Sequence, residues 1–195
     1  MSPVQAMERS YAALRDLLRN GAYPPGYRLE ANRIANEIGV SMTPVRDALN
    51  RLVGEQLVEA SSGDGFHVPR LSESDLRDLY EWNSVLAIIA TRTARTLPDP
   101  NAILQAMATG SLADATAGCF NLLAGATPNS ELRKAVARVG DRLHAYRIVE
   151  TTILEPILGE LEEMFAVSPR GPAAIRRYHV ARIRAVSDLL RARTK

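Results

Sequence analysis

Cysteine occurs once in the 195 residues, at Cys119, so no disulfide can close within the chain and no cysteine cluster can hold a metal. That usage suits a reducing, cytoplasmic compartment. No charge of one sign dominates either. Twenty-four Lys and Arg face 22 Asp and Glu, a net charge of +2, too small a surplus to argue for nucleic acid from bulk charge. Residues 1–70 carry eight basic and eight acidic side chains and residues 71–195 carry 16 and 14, so any DNA contact must come from local placement. Long apolar runs are missing: the longest, around Val85 to Ala90, is far short of a membrane span, and Glu8 and Arg9 arrive before any signal-like core forms. No repeat and no low-complexity tract appears. Also absent are a glycine-rich phosphate loop, a nucleophile elbow and a His-Glu pair at metalloprotease spacing, so an enzyme is not expected. What remains, 46% hydrophobic and 24% charged residues, is an ordinary globular composition.

The texture of the chain changes near residue 70. Met7, Tyr11, Leu14 and Leu18 form one helical stripe that stops at Asn20-Gly21, and the loop Tyr23-Pro24-Pro25-Gly26 follows. A short helix over Ala31–Ile38 is predicted to end on a left-handed Gly39. Thr43-Pro44 reads as the N-cap and first turn of a third helix, with Val45, Leu49, Leu52 and Val53 on its apolar stripe and an end near Glu55. Leu57-Val58-Glu59-Ala60 and Phe66-His67-Val68 read as two strands flanking a turn-rich stretch with Gly63 and Gly65.

From Ser72 the pattern is all helical. Ser72 and Asp75 form a capping box, and the apolar face of Leu76, Leu79, Tyr80, Leu86 and Ala90 is expected to run until Pro98. Asp99-Pro100 starts a short helix that Gly110 stops, and another spans Leu112 to Leu123. The stripe Leu132, Val136, Val139 and Leu143 belongs to a long segment bending at Pro156. After Ser168-Pro169-Arg170-Gly171-Pro172 comes one very basic last helix, in a bundle of about five or six. From Arg170 onward eight basic residues stand against Asp188 alone, a charge run that suits a solvated face, DNA, or the Glu160-Glu162-Glu163 cluster.

Two short helices joined through Gly39-Val40-Ser41, the second carrying Thr43, Arg46 and Asn50 opposite its apolar stripe, have the pattern of a helix-turn-helix, with the hairpin as wing. The major groove admits one helix, whose first turn reaches base edges while hydroxyls and backbone N–H groups take phosphates. Arg46 sits one turn in, within reach of a phosphate or a guanine; the alternative is that it pairs with a neighbouring carboxylate. The runs Tyr23-Pro24-Pro25-Gly26-Tyr27-Arg28-Leu29, Ile34-Ala35, Gly39 to Leu52, Gln56-Leu57-Val58 and Gly65-Phe66-His67-Val68 resemble the winged-helix domain of GntR-family bacterial transcription regulators. Asp75-Leu76-Arg77-Asp78-Leu79-Tyr80-Glu81 resembles the opening of the helical effector domain in the family's FadR-like (FCD) branch.

The resemblance implies a mainly α fold, with a winged helix-turn-helix and small β-hairpin wing over 1–70 and an all-α effector-binding and dimerisation bundle over 71–195. It implies DNA contacts from Arg33, Ser41, Met42, Thr43 and Arg46, and from the Gly63 to Gly65 wing tip in the minor groove. Met42 stands where the family usually has arginine, exchanging a bidentate guanine contact for packing on a thymine methyl; Asn32 also replaces a frequent arginine. Many FadR-like relatives hold a divalent metal with one Asp and three His. Here Asn121 follows Phe120 where relatives have histidine, and His179 alone matches a ligand position, so no cofactor and no metal are expected. A substitute set of His144, His179 and Asp141 or Glu150 is the alternative. His144, Arg147 and His179 are the candidate effector-binding residues, Arg147 for an anionic ligand; the competing reading has Arg147 snorkelling to solvent or pairing with Glu150. The expected protein is a cytoplasmic repressor, a homodimer on a palindromic double-stranded operator, answering to a small organic acid or acyl-CoA and not touching membranes. A ligand-independent architectural or protein-interaction role is the rival.

Overall fold

The computed structural model describes residues 2–61, 63, 65–96, 98–108, 110–154, 157–165 and 171–194. They form two compact units, Met1–Leu71 and Ser72–Arg193, mainly helical, with one small antiparallel sheet in the first.

In the first unit α1 (Pro3–Arg19) starts one turn before its apolar stripe, because Ser2 and Gln5 form a capping box and Pro3 pre-sets the first-turn dihedral. Leu14 and Leu18 are buried. At its outer side the Tyr11 hydroxyl donates to Glu55 (2.9 Å), and the Arg51 guanidinium lies 3.7 Å over the Tyr11 ring while pairing with Glu8 and Glu55. These contacts clamp α1 to α3 (Met42–Gly54). Between them lie β1 (Arg28–Leu29) and α2 (Ala31–Ile38), whose C-cap Gly39 is left-handed at φ 69°, a conformation costly for residues with a Cβ.

The N-cap of α3 is Ser41, two residues before the expected Thr43. Pro44 therefore occupies the third helical position, still inside the first turn, where a missing N–H leaves no intrahelical bond unmade. At the other end Gln56 takes φ 59° and the Leu57 N–H donates to the Leu52 carbonyl (3.0 Å), a Schellman closure. Leu57 is thus the last residue of the helix cap, and Leu57 and Val58 bury their side chains, so β2 is Glu59–Ser61 and not Leu57–Ala60. It pairs with β3 (Gly65–His67), which sits between β2 and β1. A core of Leu14, Leu29, Ile34, Val45, Leu49 and Leu52, each at most 2% exposed, joins sheet and helices.

The second unit has seven helices among the described residues, more than the five or six read from the pattern. They are α4 (Glu73–Thr93), α5 (Pro100–Ala108), α6 (Leu112–Gly125), α7 (Ser130–Glu150), α8 (Ile157–Phe165), α9 (Gly171–Arg184) and α10 (Val186–Arg193). The Ser72–Asp75 box opens α4. That helix stops at Thr93, before Pro98, because the Arg95 N–H turns to the Ala126 carbonyl (3.1 Å) and the Thr93 and Thr127 hydroxyls meet at 3.1 Å. The basic last helix is two: the Ala185 N–H is shared between the Ala181 and Arg182 carbonyls, a tightened turn that reorients the chain so Val186 and Leu189 are buried. The bend at Pro156 and the Ser168-Pro169-Arg170 stretch lie outside the described residues. No helix among them is long and apolar enough to cross a membrane.

Candidate functional site

The turn Gly39-Val40-Ser41 sets α2 and α3 in a helix-turn-helix, and the alternation of residue types divides α3 into two faces. Val45, Ala48, Leu49 and Leu52 are fully buried; Ser41, Met42, Thr43, Arg46 and Asn50 are exposed. Ser41 makes no side-chain cap bond, and among the described residues neither Thr43 nor Arg46 has a side-chain hydrogen bond or ion pair. Arg46 is therefore not held by a neighbouring carboxylate. Met42, 46% exposed, places a thioether at the head of this face. Arg33 differs: it lies on α2, 3.4 Å from Glu37 and with its guanidinium 5.3 Å from the Tyr27 ring centre, so it is tethered to its own helix. Gly63 and Gly65, at φ 84° and 87°, shape the hairpin tip in a region that side-chain-bearing residues rarely enter; Ser62 and Asp64, on either side of Gly63, lie outside the described residues.

The second unit collects its polar residues inside. Arg147, 1% exposed, and His179, 1% exposed, meet at Asn83 of α4: its Oδ1 accepts from Arg147 Nη2 (3.0 Å) and lies 2.9 Å from His179 Nε2. The Nδ1 of His179 lies 2.7 Å from the Ile175 carbonyl. Arg147 thus neither snorkels to solvent nor pairs with Glu150: its side chain is buried beside Asn83 of α4 and the Phe120 ring of α6, and Glu150 is already taken. Glu150 accepts from the Tyr80 hydroxyl (2.7 Å) and from Arg182 (3.0 Å), and Arg182 also reaches Glu160 at 2.6 Å. Arg177 pairs with Glu163, so part of the basic tail does meet the acidic cluster. His144 stands apart from Asn83, with Nε2 3.0 Å from Asp114.

Burial pushes the His179 imidazole down to about 3, the Arg147 and Arg182 charges adding to the shift and the Ile175 carbonyl opposing it; it is neutral. Burial likewise lifts the Tyr178 hydroxyl to about 12 and the Cys119 thiol to about 11, leaving that cysteine inert. Burial works against the Arg182 charge, but Tyr178, Glu150 and Glu160 more than restore it. Asn83 and Tyr178 were not singled out from sequence. The signal for Asn83 was present, a polar residue on the stripe of Leu76, Leu79, Tyr80 and Leu86.

The donor set does not fit a family-type divalent metal. Both His179 nitrogens face protein oxygens, His144 is turned to Asp114 and Glu150 is bound by Arg182 and Tyr80. No group of three or more metal-ligating side chains occurs among the described residues. An open groove of about 700 Å³ runs between α5 and α6, lined by Ala102, Ala106, Asp114, Gly118 and Asn121; it includes none of the three candidate effector residues.

Residues 6–68 match the family described as bacterial regulatory proteins, gntR family. An uncharacterized HTH-type transcriptional regulator in the TAR-I ttuE-ttuC' intergenic region of Agrobacterium vitis is 31% identical over 116 residues, 60% of this chain and 66% of that protein. The Nta operon transcriptional regulator of Aminobacter aminovorans is 29% identical over 140 residues, 66% of this chain and 67% of its own length. The chain therefore spans about two thirds of these relatives. A chain from Rhodococcus sp. RHA1 described as a GntR transcriptional regulator shares the fold at a TM-score of 0.75 with 20% identity, over 94% of this chain and 97% of that one. The chain thus carries, over residues 6–68, a helix-turn-helix domain of the kind found in the gntR family of bacterial regulatory proteins, followed by a helical second unit.

Proposed function

We propose that the chain is a sequence-specific DNA-binding transcription regulator, a cytoplasmic repressor that occupies a palindromic operator as a homodimer and answers to a small metabolite in its helical unit. One observation carries the reading: the outer face of α3 presents Ser41, Met42, Thr43 and Arg46 exposed and uncommitted, while its inner face is locked into the core. Nothing in the first unit's own packing requires an arginine at position 46, whereas a phosphate or guanine does. The wing glycines supply a tip slim enough for close backbone approach, and Arg33, released from Glu37, would add a phosphate contact.

Units 1–70 and 71–195 would divide the work into reading DNA and dimerising with effector control, as in the FadR-like branch with a shortened effector domain. Trp82, Val85 and Ile89 stand 50%, 45% and 40% exposed at helical spacing along α4, an apolar stripe that a two-fold partner would cover. The effector is held without a divalent metal, since the matching His179 is engaged through both nitrogens. Selection of bound duplexes from a random-sequence library tests the reading. Enrichment of an inverted repeat, bound by a species of twice the monomer mass that Val85→Glu reduces to one, is expected. Failure to enrich any sequence would overturn it and leave a winged helix used for protein contacts or architecture.

A further inference from the structure

The loop before α2 builds a fixed aromatic platform beside that helix. The Tyr27 N–H donates to the Pro24 carbonyl (3.0 Å) across Pro25 and a left-handed Gly26 at φ 78°, the Pro-Gly pattern of a type II turn. The turn is knit to the end of the sheet, because the Gly26 N–H donates to the Val68 carbonyl (2.7 Å) and the Val68 N–H to the Tyr27 carbonyl (2.9 Å). On either side of it the Tyr23 and Tyr27 rings stack, 5.0 Å between centres and 19° between planes. Arg33, on the exposed face of α2 with Asn32, Asn36 and Glu37, lies against this platform with its guanidinium 5.3 Å from the Tyr27 ring centre. A hydrogen bond to Tyr27 does most to hold the Arg33 pKa above its ordinary value, and Glu37 and Tyr23 act in the same direction. Burial and Glu37 raise the Tyr23 hydroxyl against the opposing, hydrogen-bonded Arg33, so this phenol keeps its proton. A hydroxyl that accepts from arginine still has an O–H to donate. Guanidinium and phenols thus form a donor-rich edge, and the carboxylate set against it is Glu37, 3.4 Å from Arg33 Nε.

Glu37 is poorly placed for its own helix. It stands in the last turn of α2, where a carboxylate faces the negative end of the helix dipole. With the arginine four residues N-terminal to the glutamate, the pair also has the weaker of its two possible orders. Both side chains are exposed, and exposed pairs contribute little. The contact therefore does little for α2 and is readily exchanged. A phosphate is the stronger acceptor, since it can take charge-assisted N–H bonds from the arginine and O–H bonds from the phenols at once. Glu37 precedes Ser41, the N-cap of α3, by four positions, and the first helix of a helix-turn-helix crosses the DNA backbone while the second enters the groove.

We propose that Tyr23, Tyr27 and Arg33 form a site for one backbone phosphate of DNA, with Glu37 occupying the arginine until that phosphate displaces it. The tyrosines donate to the phosphate oxygens and hold the guanidinium in position, and Glu37 sets how tightly, and with what salt dependence, any duplex is held. The inference rests on the reading of α3 as the helix that faces DNA and adds to it an anchor that carries no base information.

The test is the affinity of the full chain for a library-selected duplex and for a scrambled one, across salt concentrations, in the wild type, Glu37→Gln, Tyr27→Phe and Arg33→Gln. Glu37→Gln frees the arginine and removes a negative charge facing the phosphate. It is expected to bind both duplexes roughly 3- to 10-fold tighter, with a salt slope steeper by about one. Tyr27→Phe keeps the stacked ring and loses the hydroxyl, and is expected to weaken both duplexes by a similar factor with base preference unchanged. In an Arg33→Gln background both effects are expected to vanish, a coupling that a loosened loop would not produce. Glu37→Gln is expected to unfold no earlier than the wild type, so it carries the test even where Tyr27→Phe disturbs the loop. Unchanged affinity and slope in Glu37→Gln, or the same gain with Arg33 replaced, would overturn the site. So would a Glu37→Gln midpoint well below that of the wild type, which would make the pair a structural one. A wild type that binds neither duplex removes the reading of α3 along with this site, whereas a wild type that binds while its variants match it removes this site alone.

Discussion

The two units treat polarity in opposite ways. Among its described residues the first unit buries one polar side chain, Ser10, whose hydroxyl donates to the Ala6 carbonyl (2.8 Å) within its own helix. Its arginines remain at the surface, some clamped to Glu8, Glu37 and Glu55 and Arg46 left unengaged. The second unit buries Asn83, Asp141, His144, Arg147, Glu150, His179 and Arg182. A hydrocarbon core gives a rigid platform whose outward groups face a large partner, while buried charge is costly and is retained where something inside must be recognised or register must be fixed. That is the difference expected if, as proposed above, the first unit works at its surface and the second in its interior.

The sharpest way to break the contrast is to unbalance the buried charges. Arg182→Ala strands Glu150 and Glu160 against the Tyr178 ring, over which the guanidinium sits at 3.5 Å. Loss of one partner of a buried pair costs about 3–5 kcal/mol, so chemical denaturation should show the second unit unfolding at distinctly lower denaturant, while the same change at exposed Arg33 moves stability by less than about 0.5 kcal/mol.

A smaller effect comes from pH. His179 is lowered from 6.5 to about 3 by burial, so as the pH falls the unfolded chain takes up a proton that the folded one refuses. Stability from this group is complete above about pH 6.5 and is lost below it, at roughly 1.4 kcal/mol per pH unit until the folded value is reached. Unfolding midpoints between pH 7 and pH 5 should decline in the wild type and flatten in His179→Gln. The first unit has no buried histidine among its described residues and should be the less sensitive.

The smallest effect sharpens the other side. Gln56 holds φ 59° at the end of α3, a left-handed position that costs a side-chain-bearing residue about 1 kcal/mol. Gln56→Gly should raise stability by that order, read as a higher midpoint, with the second unit unaffected.

How legible all this was in the sequence follows the same division. In the first unit apolar spacing and caps placed α1, α2 and α3, because each element carries its own signal: the Leu14 and Leu18 stripe, Gly39, and Val45 with Leu49 and Leu52. What escaped was β1, two residues whose strand character exists only through pairing of Arg28 and Leu29 with His67 and Phe66, and the Ser41 cap, since proline is tolerated anywhere in a first turn. In the second unit the capping box at Ser72 announced α4 and the apolar stretch from Leu112 to Leu123 announced α6, whose own box at Ser111 went unread. The end of α4 did not, because the Arg95 N–H leaves for a carbonyl 31 positions away at Ala126. Likewise the fate of Arg147 depends on Asn83 and His179, 64 and 96 positions apart from their partners in the chain; local spacing places a residue on a face, and only tertiary packing decides whether that face meets solvent, a carboxylate or nothing.

The most direct measurement is the affinity of the wild type and of Arg46→Ala for a duplex enriched from the random library, each across a range of salt concentrations. Arg46→Ala is expected to lose about 1–3 kcal/mol of binding, roughly 5- to 150-fold, with either a salt slope shallower by about one or relaxed preference at a single base pair, and an unchanged unfolding midpoint. Identical affinity, slope and base preference in the two proteins would contradict the assignment of α3 as the helix that reads DNA.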